Sequence, residues 1–218
     1  MRLLIATTNP NKIRESRPLL AGVGLEIVTL AELDPIPEPD ESGATFWENA
    51  RIKALAYARG SGLFSVAEDS GLVIEAMDGE PGVLSARFLG PDASYPDRFA
   101  EIFRRLEGKP RSARFVTGLA VAHENEILFE TETTVEGEIA PAAAGAHGFG
   151  YDPIFRYPPL NLTTAQLSDD EKAAVSHRAR AFRDLRRWLH TRPFLMSGRA
   201  GGARIQAFAP SPLREDGP

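Results

Sequence analysis

Cysteine is missing from all 218 residues, which excludes disulfides, thiolate metal sites and cysteine nucleophiles together. Histidine is scarce as well. With four in the chain, a bound metal would have to rest chiefly on carboxylate oxygens, the ligands of a hard cation. No apolar run approaches the roughly 20 residues that a bilayer crossing requires. The opening MRLLIATTNP reaches Thr7 too soon for the apolar stretch of a signal peptide, so a cytoplasmic protein without membrane contact is expected. Positive charge is also in deficit. A formal net charge of −5 argues against a broad basic face and hence against nucleic acid as a partner, although a local basic cluster can still hold one small polyphosphate. The remainder is ordinary for a folded protein: 43% hydrophobic and 25% charged residues, enough for one large α/β domain around one core.

Apolar runs and turn signals alternate along the chain. Residues 2–6 read as a short strand, closed by TTNPNK and followed by a helix over IRESRPLL. Asn9 can cap that helix, Pro10 suits its first position because proline has no N–H to leave unpaired, and Pro18 ends or kinks it. Residues 25–29 alternate like a strand, and 34–42, with three prolines, form an extended loop. A capping box of Thr45 and Glu48 opens a helix to Arg59. Two strands are expected at 64–67 and 71–76, with Glu68, Asp69 and Ser70 between them. A helix over 96–106 follows, then long strands at 113–122 and 127–135 joined by a polar turn at 123–126. Gly145 to Gly150 makes a glycine-rich turn ahead of YDPIF. A second capping box, Ser168 with Glu171, opens a helical stretch reaching about Leu189. From Arg192 onward glycine and proline recur without periodicity, so the domain is expected to span 1–191 and residues 192–218 to form a flexible tail. Strands alternating with helices predict an α/β sheet protein.

Several clusters carry chemistry. Thr7 to Lys12 sets two hydroxyls, an amide and a lysine at a helix N-terminus, where outward N–H groups suit a small anion; such capped turns also occur as plain architecture. Glu41 in DESGATF and Asp69 in AEDSGL each adjoin the end of an element, and either can ligate Mg²⁺. Glu41 also reads as an exposed loop carboxylate. Asp69 follows an apolar strand directly, so it is expected at that strand's carboxyl end, where α/β sheets bind ligands. Two adjacent carboxylates, Glu68 and Asp69, disfavour each other's charge unless a cation separates them. Lys53 lies mid-helix with Asn49 one turn earlier on the same side, a pairing that equally fits a solvated face. In GAHGFGYDPIF the glycines around Phe149 and Tyr151 leave room for a ring to lie flat against a base; the other reading is a tight turn with core aromatics. In EKAAVSHR, Lys172 and Ser176 share a helical face, but Arg178 lies about 120° away from Lys172. All can serve one site only if the helix breaks near Val175 and Ser176 caps a second one.

With TTNPNK, ESGATFWENARIKA, AEDSGL, GEPGVLSARF, GFGYDPIF and EKAAVSHR in this order and spacing, residues 1–190 closely resemble the inosine triphosphate pyrophosphatase family. The resemblance implies an α/β fold with an elongated mixed β-sheet flanked by helices, two lobes with a nucleotide cleft between them, Mg²⁺ as cofactor and a homodimer. It also implies hydrolysis of non-standard purine nucleoside triphosphates (ITP, dITP, XTP, dXTP) to the monophosphate and pyrophosphate, cleansing the nucleotide pool. Carried over to this chain, Thr7, Thr8, Asn9, Pro10, Asn11 and Lys12 would hold the triphosphate, with Lys53 and Ser70 nearby. Glu41 and Asp69 would carry the metal, and Asp69 would also accept the proton of the attacking water. Phe149, Gly150, Tyr151, Asp152, Lys172, His177 and Arg178 would bind base and sugar. Pro10 and Asn11 stand where relatives often have glycine, Pro18 interrupts the first helix, and the tail after Arg192 has no family counterpart. Two rival readings are a septum-inhibitor type of pyrophosphatase, which lacks the SHR segment, and a non-catalytic nucleotide sensor, which has no need of both Glu41 and Asp69.

Overall fold

The computed structural model describes residues 1–192, so the expected tail falls, beyond Arg192, outside the described residues. Seven strands form one mixed sheet in the order β2-β1-β3-β4-β5-β6-β7. β1 (Arg2–Ile5) runs parallel to β2 (Glu26–Thr29) on one side and to β3 (Phe64–Ile74) on the other. From β3 onward every pairing is antiparallel, through β4 (Ser112–His123), β5 (Glu126–Ile139), β6 (Phe155–Tyr157) and β7 (Leu162–Thr163). The expected α/β mixed sheet is therefore present. β6 and β7, at three and two residues, are too short to leave a periodic signal in the sequence.

One expectation fails. The strands anticipated at 64–67 and 71–76 are a single strand, and Asp69 lies in its middle instead of at its carboxyl end. β4 is the cause: it pairs with β3 from Ser65↔Ala122 to Ile74↔Ala113, so the backbone groups of Glu68, Asp69 and Ser70 are held in a ladder that overrides their weak strand propensity. On the other side β1 pairs only as far as Val66, the last bond running from the Ala6 N–H to the Val66 carbonyl at 2.8 Å. Asp69 thus stands just past the carboxyl end of its parallel neighbour. In α/β sheets that is where ligands gather.

Helices cover both faces. α2 (Phe46–Ser61) packs against Leu4, Ala67, Ala120 and Ala122 on one side of the sheet. α5 (His177–His190) packs against Leu3, Ile5, Val66 and Leu119 on the other, the alternation of neighbours following the strand period of two. A third cluster, under α3 (Tyr95–Arg105), joins Ile74, Phe99, Ile102, Phe115 and Phe155 farther along the sheet. The one expected core is therefore three clusters, because the sheet separates two of them and its length separates the third. Gly118 faces Asp69 across the β3–β4 ladder, and a Cβ there would sit 2.6 Å from the Trp47 nitrogen and 2.7 Å from the Phe46 carbonyl carbon. Glycine lets the first turn of α2 rest on the sheet backbone beside Asp69.

The caps behave as expected. Glu48 N–H donates to Thr45 Oγ1 and Thr45 N–H donates to Glu48 Oε2, both at 3.1 Å, and α2 runs two residues past Arg59 to Ser61 before Gly62 turns left-handed at φ 67°. α1 (Pro10–Ser16) stops short of Pro18, which starts a separate 3₁₀ turn. The helical stretch after Ser168 breaks at Ser176, between α4 (Asp169–Val175) and α5. Ser176 is extended there (φ −68°, ψ 149°), and its Oγ accepts from the Ala179 N–H at 3.2 Å, capping α5. Arg183 reaches back to donate to the Ala173 and Ala174 carbonyls at 2.9 and 3.3 Å, occupying groups that the end of α4 leaves open.

Candidate functional site

One cleft opens where β1 ends and β3 continues. Of the residues that the resemblance assigns to phosphate, metal, base or sugar, all except Pro10 and Asn11 line it. Pro10 is the first residue of α1, and the Asn11 N–H is used in that helix's cap.

The Thr7–Lys12 turn departs from expectation in one respect. Asn9 Oδ1 accepts the N–H groups of Asn11 (2.9 Å) and Lys12 (3.3 Å), and Thr7 Oγ1 accepts that of Asn9 (3.2 Å). The turn's own side chains consume the donors that an anion would otherwise meet. The turn still offers the cleft the Thr7 and Thr8 hydroxyls, the Asn9 side-chain amide N–H groups and the Lys12 ammonium. Desolvation pulls the Lys12 pKa below its ordinary value, opposed by Glu68 and assisted by Lys53 and Arg178. Lys12 forms no ion pair with another described residue, so an entering polyanion would be its first close partner.

Asp69 is buried on the α2 face. Its Oδ2 accepts from Asn49 Nδ2 at 3.0 Å and its Oδ1 from Lys53 Nζ at 3.5 Å. Lys53 Nζ also donates to Glu41 Oε1 at 2.7 Å, and Asn49 Oδ1 accepts the Gly43 N–H at 2.8 Å, which ties the Glu41 loop to α2. Glu41 is therefore a half-buried member of the cleft and not a stray loop carboxylate. Two carboxylates share one ammonium, leaving a net negative charge with hard oxygen donors and no nitrogen or sulfur ligand beside them. Among the described residues no group of three or more His, Asp or Glu could enclose a metal by itself. That donor set fits Mg²⁺, which takes one or two carboxylates and completes its shell with phosphate oxygens and water.

Glu68 points the other way, as its neighbour in a strand must. Its Oε1 accepts from Arg178 Nε at 2.5 Å, while Oε2 is buried without a hydrogen-bond partner. Burial works against its ionisation, but the Arg178 guanidinium, helped by Lys12, outweighs this and holds the carboxyl at about 2. The two adjacent carboxylates are thus kept apart by the sheet and served by different cations.

Arg178 is the hub of the opposite wall. Besides Glu68 it donates to Glu15 Oε2 at 2.6 Å and to Ser70 Oγ at 3.0 Å. Glu15 also accepts from Lys172 Nζ at 2.7 Å, and Lys172 donates to Asp152 Oδ2 at 2.5 Å. Asp152 further accepts the Phe149 N–H at 2.7 Å and the Thr164 hydroxyl at 2.8 Å, so it shapes the 145–150 turn from within. Gly148 is left-handed (φ 70°), and a Cβ there would collide with the Asp152 carboxylate. The Phe149 ring has the Lys172 ammonium 5.1 Å and the Arg178 guanidinium 5.3 Å from its centroid. Tyr151 takes the other reading: it is a core aromatic, its hydroxyl donating to the Ser85 carbonyl at 2.9 Å and its ring edge-on to Tyr95. His177 stacks on Phe115 with centroids 4.6 Å apart. Burial, followed by the charge of Arg178, lowers its pKa well below the usual histidine value, so it is neutral at pH 7.

Sequence reasoning missed Glu15, Glu38 and Tyr57. Glu15 is one more charged residue on a short helix, and nothing in its spacing distinguishes it from a solvated side chain.

Comparison with known proteins agrees with this geometry. The Ham1 family model matches residues 3–188. A dITP/XTP pyrophosphatase from Exiguobacterium sp. is 45% identical over 186 residues, covering 85% of this chain and 95% of that protein. The dITP/XTP pyrophosphatase of Thermus thermophilus is 43% identical, with 85% of this chain and 90% of that protein covered. Among solved structures, a HAM1 protein from Coxiella burnetii superposes with a TM-score of 0.81 at 36% identity, covering 88% of this chain and 99% of its own. A nucleoside-triphosphatase / dITP/XTP pyrophosphatase from Mycobacterium abscessus gives 0.69 at 41% identity, covering 85% of this chain and 98% of its own. Sheet order, cleft and matched span point the same way, and the chain belongs to the Ham1 family.

Proposed function

We propose that the protein hydrolyses ITP, dITP, XTP and dXTP to the nucleoside monophosphate and pyrophosphate, as a Mg²⁺-dependent, cytoplasmic homodimer. The observation that carries this reading is Asp69, buried beside Glu41, clamped by Asn49 and Lys53, and lining the same cleft as the Thr7–Lys12 turn. The names of the relatives, dITP/XTP pyrophosphatase, support the substrate class.

A divalent cation held by Glu41 and Asp69 would neutralise phosphate charge and make a bound water more acidic. Asp69 accepts the proton of the water that attacks the α-phosphorus, and the hydrogen bond from Asn49 holds its carboxylate in orientation. Lys53 and Lys12 offset the negative charge that grows on the departing pyrophosphate, and the Thr8 hydroxyl helps to position it. Phe149, flanked by two cations, stacks on the base. Arg178 has five N–H groups and three are engaged with Glu68, Glu15 and Ser70, which leaves two for the substrate. Hypoxanthine and xanthine carry a carbonyl at position 6 that accepts such donors, whereas the adenine amino group does not. Each donor left unpaired costs about 1–3 kcal/mol, so ATP is rejected by one to several tenfolds.

The test is direct. Incubated with Mg²⁺ and ITP, the protein releases pyrophosphate and IMP, and turns over ATP far more slowly. Release of orthophosphate from ITP, or equal rates on ITP and ATP, refutes the proposal.

A further inference from the structure

Tyr57 takes no part in the reading above, yet it lies on the same face of α2 as Asn49 and Lys53, eight and four residues on. Its ring packs into the cluster with Leu4, Val28 and Ala54 and is 2% exposed. It also lines the cleft beside Glu38, Glu41 and Lys53. The Tyr57 carbonyl accepts from Ser61 Oγ at 2.6 Å, but the hydroxyl has no hydrogen-bond partner among the described residues. The ring is buried but the hydroxyl opens into the cleft, where a bound group can replace water as its partner.

Two of the neighbouring donors already have carboxylate partners. Lys53 serves Glu41 and Asp69, and the Thr8 hydroxyl reaches Glu38 Oε1 at 3.5 Å. Two carboxylates at this end repel a phosphate, so a free donor here has a use that an exposed hydroxyl elsewhere would not. Burial, together with Glu38 and Glu41, raises the phenol above its ordinary value, which keeps it protonated as a donor.

We infer that Tyr57 is a phosphate-binding residue, its hydroxyl donating to the terminal phosphate of the bound triphosphate and to the pyrophosphate that leaves. This rests on the pyrophosphatase reading and names one of the contacts by which the leaving group is held. The reacting phosphorus and the base are served by other residues, so the monophosphate product should not feel Tyr57.

That asymmetry is the test. Tyr57→Phe keeps the ring and removes only the hydroxyl, and it is compared with the wild-type protein for pyrophosphate release from ITP, for inhibition by inorganic pyrophosphate and for inhibition by IMP. A hydrogen bond to a charged group corresponds to roughly a tenfold effect or more. The KM for ITP and the inhibition constant for pyrophosphate should both rise about tenfold, with IMP inhibition and melting temperature unchanged. Unchanged pyrophosphate inhibition, or equal weakening of pyrophosphate and IMP, overturns the inference. If Tyr57→Phe melts well below the wild type, Tyr57→Met, which also fills the site without a hydroxyl, is read by the same two inhibition constants. A wild-type protein that releases no pyrophosphate from ITP sinks the functional reading and this inference with it. A working wild type matched by Tyr57→Phe sinks this inference alone.

Discussion

Arg178→Ala should damage stability before it damages specificity. Among the described residues the guanidinium holds the only side-chain hydrogen bond to the Glu68 carboxylate, whose second oxygen is already buried without a partner, and it also satisfies Glu15 and Ser70. Removing one member of a buried ion pair leaves an uncompensated charge and typically costs about 3–5 kcal/mol. For a domain of this size each kcal/mol moves the melting temperature by roughly 2–4 °C, so the variant should melt roughly 6–20 °C below wild type at pH 7.5. Acid should shrink that gap. In the wild type the Glu68 carboxyl sits at about 2, below the ordinary 4.5, so its contribution is present above pH 4.5 and lost as pH falls from there toward 2. Without Arg178, burial dominates and the folded value rises above 4.5; the folded variant then binds the proton more tightly than the unfolded chain and gains stability as pH falls. Glu68→Gln combined with Arg178→Ala should recover part of the loss at pH 7.5, since position 68 then carries no charge. Melting curves from pH 7.5 to 5 measure the gap, its narrowing and the recovery by the double variant. A variant within about 2 °C of wild type at pH 7.5, or a gap that stays constant on acidification, refutes the reasoning.

Asp69→Asn should lower pyrophosphate release from ITP by at least about a thousandfold while melting within a few degrees of wild type, since it removes the proton acceptor and one metal ligand; retained activity would refute the role. Chelation of divalent cations should abolish turnover and added Mg²⁺ restore it, read in the same assay. His177 is held neutral, so only the unfolded chain takes up its proton below about pH 6.5, and this group's contribution to wild-type stability should fall with acid until the folded group titrates. His177→Asn should flatten the melting profile between pH 6.5 and 5. Ending the chain after Arg192 should leave pyrophosphate release intact, because the family match closes at residue 188 and every residue lining the cleft precedes Ala179.

Helix starts are legible in this sequence because they depend on local chemistry. Asn9, Thr45, Ser168 and Ser176 each cap a helix with their own side chain, within three residues of where the bond is made. The break at Ser176 can be reasoned from side-chain directions alone, since Lys172 and Arg178 cannot face one cleft from a straight helix. Strand continuity is a different matter. Nothing near Glu68 and Asp69 announces a strand interior; the ladder that keeps them extended belongs to β4, whose partners are some fifty residues away in the chain, as in Asp69↔Gly118. The same limit applies to Tyr151 and Phe149, which have similar glycine-rich flanks. One is core and the other faces the cleft because Ser85, Tyr95 and Lys172 come from distant segments.

The position of Asp69 and Glu68 in one continuous strand also explains how a single cleft can run two kinds of chemistry. Successive residues of β3 face α2 and α5 in turn, so Asp69 meets Asn49 and Lys53 while Glu68 and Ser70 meet Arg178. Because β1 stops at Ile5, the edge of β3 between these two faces is open to the cleft. The α2 face gathers Glu41, Lys53 and Asp69, a set suited to cations, water and phosphate. The α5 face gathers Arg178, Lys172, Glu15 and Asp152 around Phe149, a set whose charges satisfy one another and leave a ring and a few directed N–H groups. A strand interrupted at Glu68 would have no fixed alternation and could not assign the two carboxylates to different walls. The register held by β4 therefore keeps the two walls chemically distinct: the segment whose structure was hardest to read from sequence is the one on which that division depends.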